Sequence, residues 1–226
     1  MGFCYGLNMR MPEQNGCTGW DSGCEIRGVP ASGPGGFSLI EMLITLALMI
    51  ILSTMLWGFG SASHQRAQKK ACEGNLSKIY LALEIYASDC GGKFPATTNA
   101  RTAEEALDVL VPRYSADTGI FICPGGRDSS LPAGESFRKR RISYAYYMGW
   151  QLTNTAGTLM SDRQVDTMAK NEGDFVFSTT GKPPGNNHHK YGGNFLFCDG
   201  RIESTPPQLS FPIVVTPGIV FLNPKP

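Results

Sequence analysis

The sequence predicts an α+β fold, one long N-terminal helix packed on a small antiparallel sheet, and three observations predict it. An apolar run with one acid in it, FSLIEMLITLALMIILSTMLW, fills residues 37–57. Further on, Cys72, Leu76, Ile79, Leu83 and Tyr86 recur in steps of 4, 3, 4 and 3, the period of one helix face. From Ile120 onward the pattern shortens to β-prone pieces punctuated by Gly, Pro and Asp.

The 21 residues from Phe37 to Trp57, rising about 1.5 Å each, span about 31 Å as a helix, which matches the hydrocarbon core of a bilayer. A secretory signal peptide fits worse, because its apolar stretch runs only about 7–15 residues and ends at a small-residue cleavage site. A plain anchor also fits worse. Glu41 lies inside the run, and an ionised carboxylate in a bilayer costs on the order of a few kcal/mol unless it has a partner. Cleavage after Gly36 creates that partner, an α-amino group on Phe37, with Glu41 four residues on and on the same helix face. An acid that merely favours the helix dipole explains the position of Glu41 but not the two glycines before the run.

Gly36, Phe37, Ser38, Leu39, Ile40 and Glu41, followed by the apolar run, resemble the processing site of type IV prepilins and type II secretion pseudopilins. The resemblance implies a prepilin peptidase that cuts after Gly36 and methylates the new N-terminal Phe37. It implies that Glu41, fifth in the mature chain, neutralises the terminal amine of a neighbouring subunit as helices stack into a filament. The fold it implies is pilin-like. Residues 1–36 are then a leader that is removed, 37–59 a transmembrane and assembly helix, 60–92 its amphipathic continuation, and 93–226 a periplasmic α+β domain with a C-terminal tail. The expected location is the inner membrane, single-pass with the C-terminal domain periplasmic, and a pseudopilus or pilus after assembly. The expected partners are prepilin peptidase and other pilin or pseudopilin subunits. In two respects the charges depart from this pattern. The leader carries Arg10 and Arg27 against Glu13, Asp21 and Glu25, where prepilin leaders are short and basic. Arg66, Lys69 and Lys70 beyond the run would by the positive-inside rule keep the C-terminal side in the cytoplasm. The processing motif takes precedence, and starts at Met9 or Met11 would leave it intact.

The amphipathic stretch should stop at Gly91 and Gly92, with Pro95 just beyond. AEEALDVLVP reads as a second, shorter helix ended by Pro112. FIC, ISYAYYMG, DFVFS and NFLFCDGRIES read as strands, the last as a hairpin with a type I′ turn at Asp199 and Gly200. FPIVV and GIVFL, beside prolines, suit edge strands or an extended tail.

HKYGGNFLFCDG, with His189 ten residues before Asp199 and Gly200, resembles the H-x9-D-G segment at the C-terminal end of one group of prepilin-type proteins. CEGNLSKIYLALEIYASDCGGKFP and FICPGG are similar to that group's segments after the membrane helix and in mid-domain. This resemblance carries membership more than mechanism.

His188, His189, Cys198 and Asp199 invite a metal or Cys-His catalytic reading. The turn already accounts for Asp199, the histidines sit in a polar Pro-Gly-Asn loop, and no H-E-x-x-H, C-x-x-C or G-x-S-x-G accompanies them. No catalytic residue, cofactor or metal ligand is therefore assigned. Asp162, Asp166, Glu172 and Asp174 gather in one loop-like region, and major pseudopilins bind calcium in a C-terminal loop, which makes calcium the candidate ion. Their spacing is not that of an EF-hand, and solvated loop charge is the favoured reading. RKRR at 138–141 is too short to argue nucleic acid, and a net charge of +1 with a pI near 7.6 gives no basic footprint.

Of seven cysteines, Cys4, Cys17 and Cys24 leave with the leader. Cys72, Cys90, Cys123 and Cys198 remain for an oxidising compartment. As one helix, residues 72–90 separate the first two by about 27 Å, beyond disulfide reach, so Cys72 is left with Cys123 or Cys198. The functional expectation is a pilin-like structural subunit of a secretion pseudopilus, a type IV pilus or a DNA-uptake pilus, alternatives the residues leave open. A membrane-tethered periplasmic binding domain or enzyme is the rival, but a mere tether has no use for Glu41.

Overall fold

A buried stripe on one helix and a bare surface on another organise this chain. The computed structural model describes residues 36–226 except 59, 130, 131 and 214, so of the expected leader only Gly36 lies within the described residues. The chain divides into two compact units, Met1–Ile50 and Ile51–Pro226. Helix α1, Leu39–Gly58, opens where the Ser38 carbonyl accepts the N–H groups of Glu41 at 2.9 Å and Met42 at 3.1 Å. None of its stretch from Leu39 to Leu56 is buried, and among the described residues it is the one helix long and apolar enough to cross a membrane.

Helix α2, Gly60–Asp89, is the opposite case. Cys72, Leu76, Ile79 and Leu83 are completely buried along the face the spacing predicts, while Tyr86, the last of that series, is only partly buried and its neighbour Ala87 is buried completely. Gly91 and Gly92 both have positive φ, and the Gly92 N–H reaches back to the Ala87 carbonyl at 2.7 Å. That is the Schellman stop which glycine permits without a Cβ penalty. The shorter helix α3, Ala103–Leu107, gives way to a 3-10 turn over Asp108–Leu110. Its buried Glu104 accepts the backbone N–H groups of Ile142 at 3.1 Å and Lys225 at 3.0 Å, which fastens the entry to the sheet and the C-terminal tail to one carboxylate.

Five strands form an antiparallel sheet: β1 Tyr144–Met148, β2 Thr158–Asp162, β3 Gly193–Phe197, β4 Ile202–Thr205 and β5 Val220–Leu222, in the order β4-β3-β2-β1-β5. Alternation sends Tyr144, Tyr146, Met160 and Leu196 into the cluster shared with α2 and α3. The opposite face sends Tyr147, Phe195 and Phe197 against Val176, Phe177, Leu209 and Ile213. The sheet is thus covered by helices on one side and by irregular chain on the other.

A disulfide joins Cys72 on α2 to Cys123, with Cα atoms 5.5 Å apart across 51 residues of chain. Cys90 is exposed and Cys198 buried, both as free thiols.

The structure corrects several readings. FIC is not a strand, because residues Thr118–Phe121 form a 3-10 turn capped by the Asp117 side chain, which accepts the Gly119 N–H. DFVFS and FPIVV reach only single bridges, Phe175 to Gln208 and Lys170 to Ile213, whereas GIVFL supplies the edge strand β5. The β3–β4 turn is not type I′. Phe197 pairs with Arg201 around three residues, the Gly200 N–H bonds the Phe197 carbonyl at 3.0 Å, and Gly200 but not Asp199 has positive φ. This is the three-residue loop with a glycine bulge. Strand β2 had no sequence signal, and Asp162, expected in solvated loop charge, ends it completely buried.

Two outcomes follow from this packing. Gly200 has φ +83°, and a Cβ there would lie 2.7 Å from the Tyr80 ring of α2. Gly200→Ala should therefore cost more than about 1 kcal/mol of domain stability, read by chemical denaturation, and an unchanged midpoint would contradict the docking of this turn on α2. Burial, aided by Asp199, pushes the Cys198 thiol up to about 12, so it stays protonated, as an unreactive thiol, at neutral pH. Of the four cysteines after Gly36, alkylation of the native protein should label Cys90 alone, with Cys198 reacting only on unfolding and Cys72 and Cys123 only after reduction.

Candidate functional site

The segment with an evident chemical task is the head of α1. Gly36 and Phe37 precede the helix, Phe37 is 78% exposed, and a Cβ built on Gly36 meets nothing within 4 Å. The fold itself therefore has no need of glycine at 36. Glu41 occupies the first turn of α1, where an acid complements the N-terminal end of the helix dipole. It has no ion-pair partner among the described residues. Around it the helix offers lipid or a neighbour the apolar side chains of Leu39, Ile40, Met42 and Leu43, all more than half exposed.

Lys69 and Lys70, which complicated the charge rule, have partners within their own unit. The Lys69 ammonium donates to the carbonyls of Tyr191 at 3.1 Å and Thr205 at 2.6 Å, and burial lowers it from the ordinary lysine value while Asp162 acts in the opposite sense. Lys70 pairs with Glu73 at 2.6 Å. Lys69 is therefore a bolt between α2, the loop before β3 and the end of β4, not a free juxtamembrane charge.

The H-x9-D-G residues have separate partners. His189 is exposed with φ 56°, its ring lying over Gly181. Asp199 accepts the Arg201 N–H at 3.0 Å, and Gly200 faces Tyr80, whose hydroxyl donates to the Cys198 carbonyl at 3.1 Å. These contacts are those of a loop clasp and a docked turn.

The neighbouring His188, which the sequence offers with His189, Cys198 and Asp199 for a metal or Cys-His reading that lacks motif support, is completely buried. With Cys72, Cys123 and Asp162 it forms a group whose ligand-type atoms all lie within 4.8 Å of one another. The remaining acids of the calcium candidate do not join Asp162. Asp166 holds the Met168 N–H at 2.9 Å and the Lys170 ammonium at 2.8 Å, and those bonds draw its carboxyl below the ordinary value against the opposing effect of burial. Asp174 holds the Asn171 N–H at 2.8 Å. In the basic run, Arg138 pairs with Asp108 and Arg140 with Glu135. A cavity of about 530 Å³ opens between Arg127, Arg141, Arg163 and Gln164.

Residues 33–57 match the prokaryotic N-terminal methylation motif. Over 60 residues the chain is 35% identical to a protein named ComG operon protein 3 homolog from Bacillus licheniformis, an overlap taking in 26% of this chain and 62% of that protein. The chain thus spans under two thirds of that relative's length. No solved structure matches it. What this chain carries is a prokaryotic N-terminal methylation motif of the prepilin type, at the head of a pilin-like α+β fold.

Proposed function

We propose that the protein is a pilin-like structural subunit without a catalytic role. Prepilin peptidase cuts it after Gly36, Phe37 is methylated, and its N-terminal helix then assembles into a type II secretion pseudopilus or a type IV pilus, with the α+β domain outside the cytoplasm. The observation that carries this reading is Glu41, set at the fifth mature position in the first turn of a helix whose surface is bare and apolar. A cleaved neighbour presents an α-amine, and a carboxylate in an apolar bundle is stabilised by such a charge. Gly36, which the fold does not require, supports the same reading, since the demand for glycine then comes from the peptidase.

A second reading, a membrane-tethered binding domain, has one observation in its favour. The cavity beside Arg127, Arg141 and Arg163 is also lined by Asp128, which pairs with Arg163, and by buried Gln164, whose Oε1 lacks a hydrogen-bond partner among the described residues. Such a cavity fits a small polar ligand that donates a hydrogen bond, but it gives Glu41 and the processing motif nothing to do.

Substitutions at three positions separate the readings. Gly36→Leu should leave the unfolding midpoint of the domain unchanged while the leader is retained, read by intact mass. Glu41→Ala should be cleaved and inserted like the parent, yet recovered in sheared filaments at least about tenfold less, because an uncompensated buried amine costs several kcal/mol. His189→Ala should alter local loop order and leave filament recovery intact. Parental assembly by Glu41→Ala would overturn the subunit reading.

A further inference from the structure

Four elements converge on the buried group described above. Cys72 comes from α2, Cys123 from the segment after the 3-10 turn at Thr118–Phe121, Asp162 from the end of β2, and His188 from the loop before β3. None is more than 1% exposed. His188 Nε2 lies 3.5 Å from Cys123 Sγ and 3.2 Å from Asp162 Oδ2. A Cys-His-Asp relay needs the two ring nitrogens to face different partners. Here a single nitrogen faces both, and Nδ1 has no hydrogen-bond partner among the described residues. The geometry is convergent on a point and is not a proton relay.

Two sulfurs, one imidazole nitrogen and one carboxylate oxygen are the number and kind of donors that a tetrahedral zinc site uses. Outer groups hold two of the four, Asp162 and Cys123, in place, as metal ligands require. Asp162 accepts the Asn187 amide at 2.9 Å and the Asn194 N–H at 2.8 Å. Asn187 is itself fixed by the Ser143 carbonyl at 2.7 Å. The Gly125 N–H donates to Cys123 Sγ at 3.3 Å, and Gly125 is so close to the 187–188 segment that a Cβ would lie 2.4 Å from the Asn187 carbonyl and 2.9 Å from His188 Nδ1. Lys69, the cation within electrostatic reach of Asp162, directs its own hydrogen bonds to the Tyr191 and Thr205 carbonyls. A carboxylate this buried is characteristically ion-paired or bound to a metal.

We propose that in its dithiol form the chain binds one zinc-class divalent cation through Cys72, Cys123, Asp162 and His188, so that the disulfide and the metal are alternative closures of one joint between α2 and the sheet. Opening the disulfide takes two electrons and two protons from a dithiol reductant, which leaves as its own disulfide. Loading then breaks both S–H bonds, forms two metal–sulfur bonds and releases both protons to solvent. The joint is independent of the filament reading, because it lies wholly within the α+β unit.

The test uses the full-length protein in detergent micelles, with Cys4, Cys17, Cys24 and Cys90 each replaced by Ser so that Cys198 is the one thiol left outside the site, reduced by a phosphine without oxygen and titrated with cobalt(II). One cobalt per chain should bind, with tetrahedral d–d bands and a sulfur-to-cobalt charge-transfer band, both bleached by one equivalent of zinc. Zinc should also protect Cys72 and Cys123 from alkylation, and the oxidised protein should bind neither metal at those concentrations. His188→Ala should weaken binding by at least about tenfold, whereas His188→Cys should restore it with a stronger charge-transfer band. If reduction alone unfolds the domain, one equivalent of zinc must restore it. The proposal is overturned by a reduced protein that binds no cobalt, by equal binding to the oxidised protein, by indifference to His188→Ala, or by failure of zinc to refold a reduced chain.

Discussion

Burial of one face of α2 against the sheet is the interaction on which the rest of the α+β unit depends. Leu76, Ile79 and Leu83 have no exposed surface, and fully burying such a side chain contributes about 1.5–3 kcal/mol. Around that stripe each further contact fixes α2 to a different part of the sheet. The disulfide ties it to the segment after the 3-10 turn, Lys69 to the loop before β3 and the end of β4, and Tyr80 to the β3–β4 turn. Removing the apolar stripe would leave these polar and covalent ties joining surfaces that no longer exclude water.

Helix α1 has the same kind of apolar surface and no such cover. The contrast divides the chain by chemistry: α2 satisfies its apolar face from within its own unit, while α1 exposes Leu39, Leu46 and Met49 along its length. A surface of that extent is stable only in lipid or against another chain. Glu41 matters in that setting because, in either environment, a carboxylate is costly without a positive partner.

The elements legible in the sequence were those specified by local pattern. The apolar run, the stripe of α2, its Gly91–Gly92 stop, β1 and the β3–β4 hairpin each carry a period or a turn residue that acts within a few positions. Strand β2 does not. TLMSD places Thr158, Ser161 and Asp162 in a completely or nearly buried strand, and these polar groups are tolerated because partners arrive from far along the chain. Asn187 and Asn194 satisfy Asp162 from 25 and 32 residues away. The same distance hid the cluster around His188. The sequence named His188 beside His189 but grouped it with Cys198 and Asp199, its neighbours in the recognisable spacing, and only the fold brings it to Cys72, Cys123 and Asp162.

The spacing of H-x9-D-G has a physical reading in this fold. His189 clasps the loop that enters β3, and Asp199 with Gly200 forms the turn that leaves it, so the intervening residues are one strand, Gly193–Phe197, with its two approaches. Strand β3 pairs with both β2 and β4, and its residues alternate between two apolar clusters, Leu196 toward α2 and Phe195 and Phe197 toward the opposite cover. A change of one residue between clasp and turn would move every one of those side chains to the wrong face. Fixed spacing is then a requirement of register in a two-sided sheet, and it holds without any joint chemistry between the histidine and the aspartate.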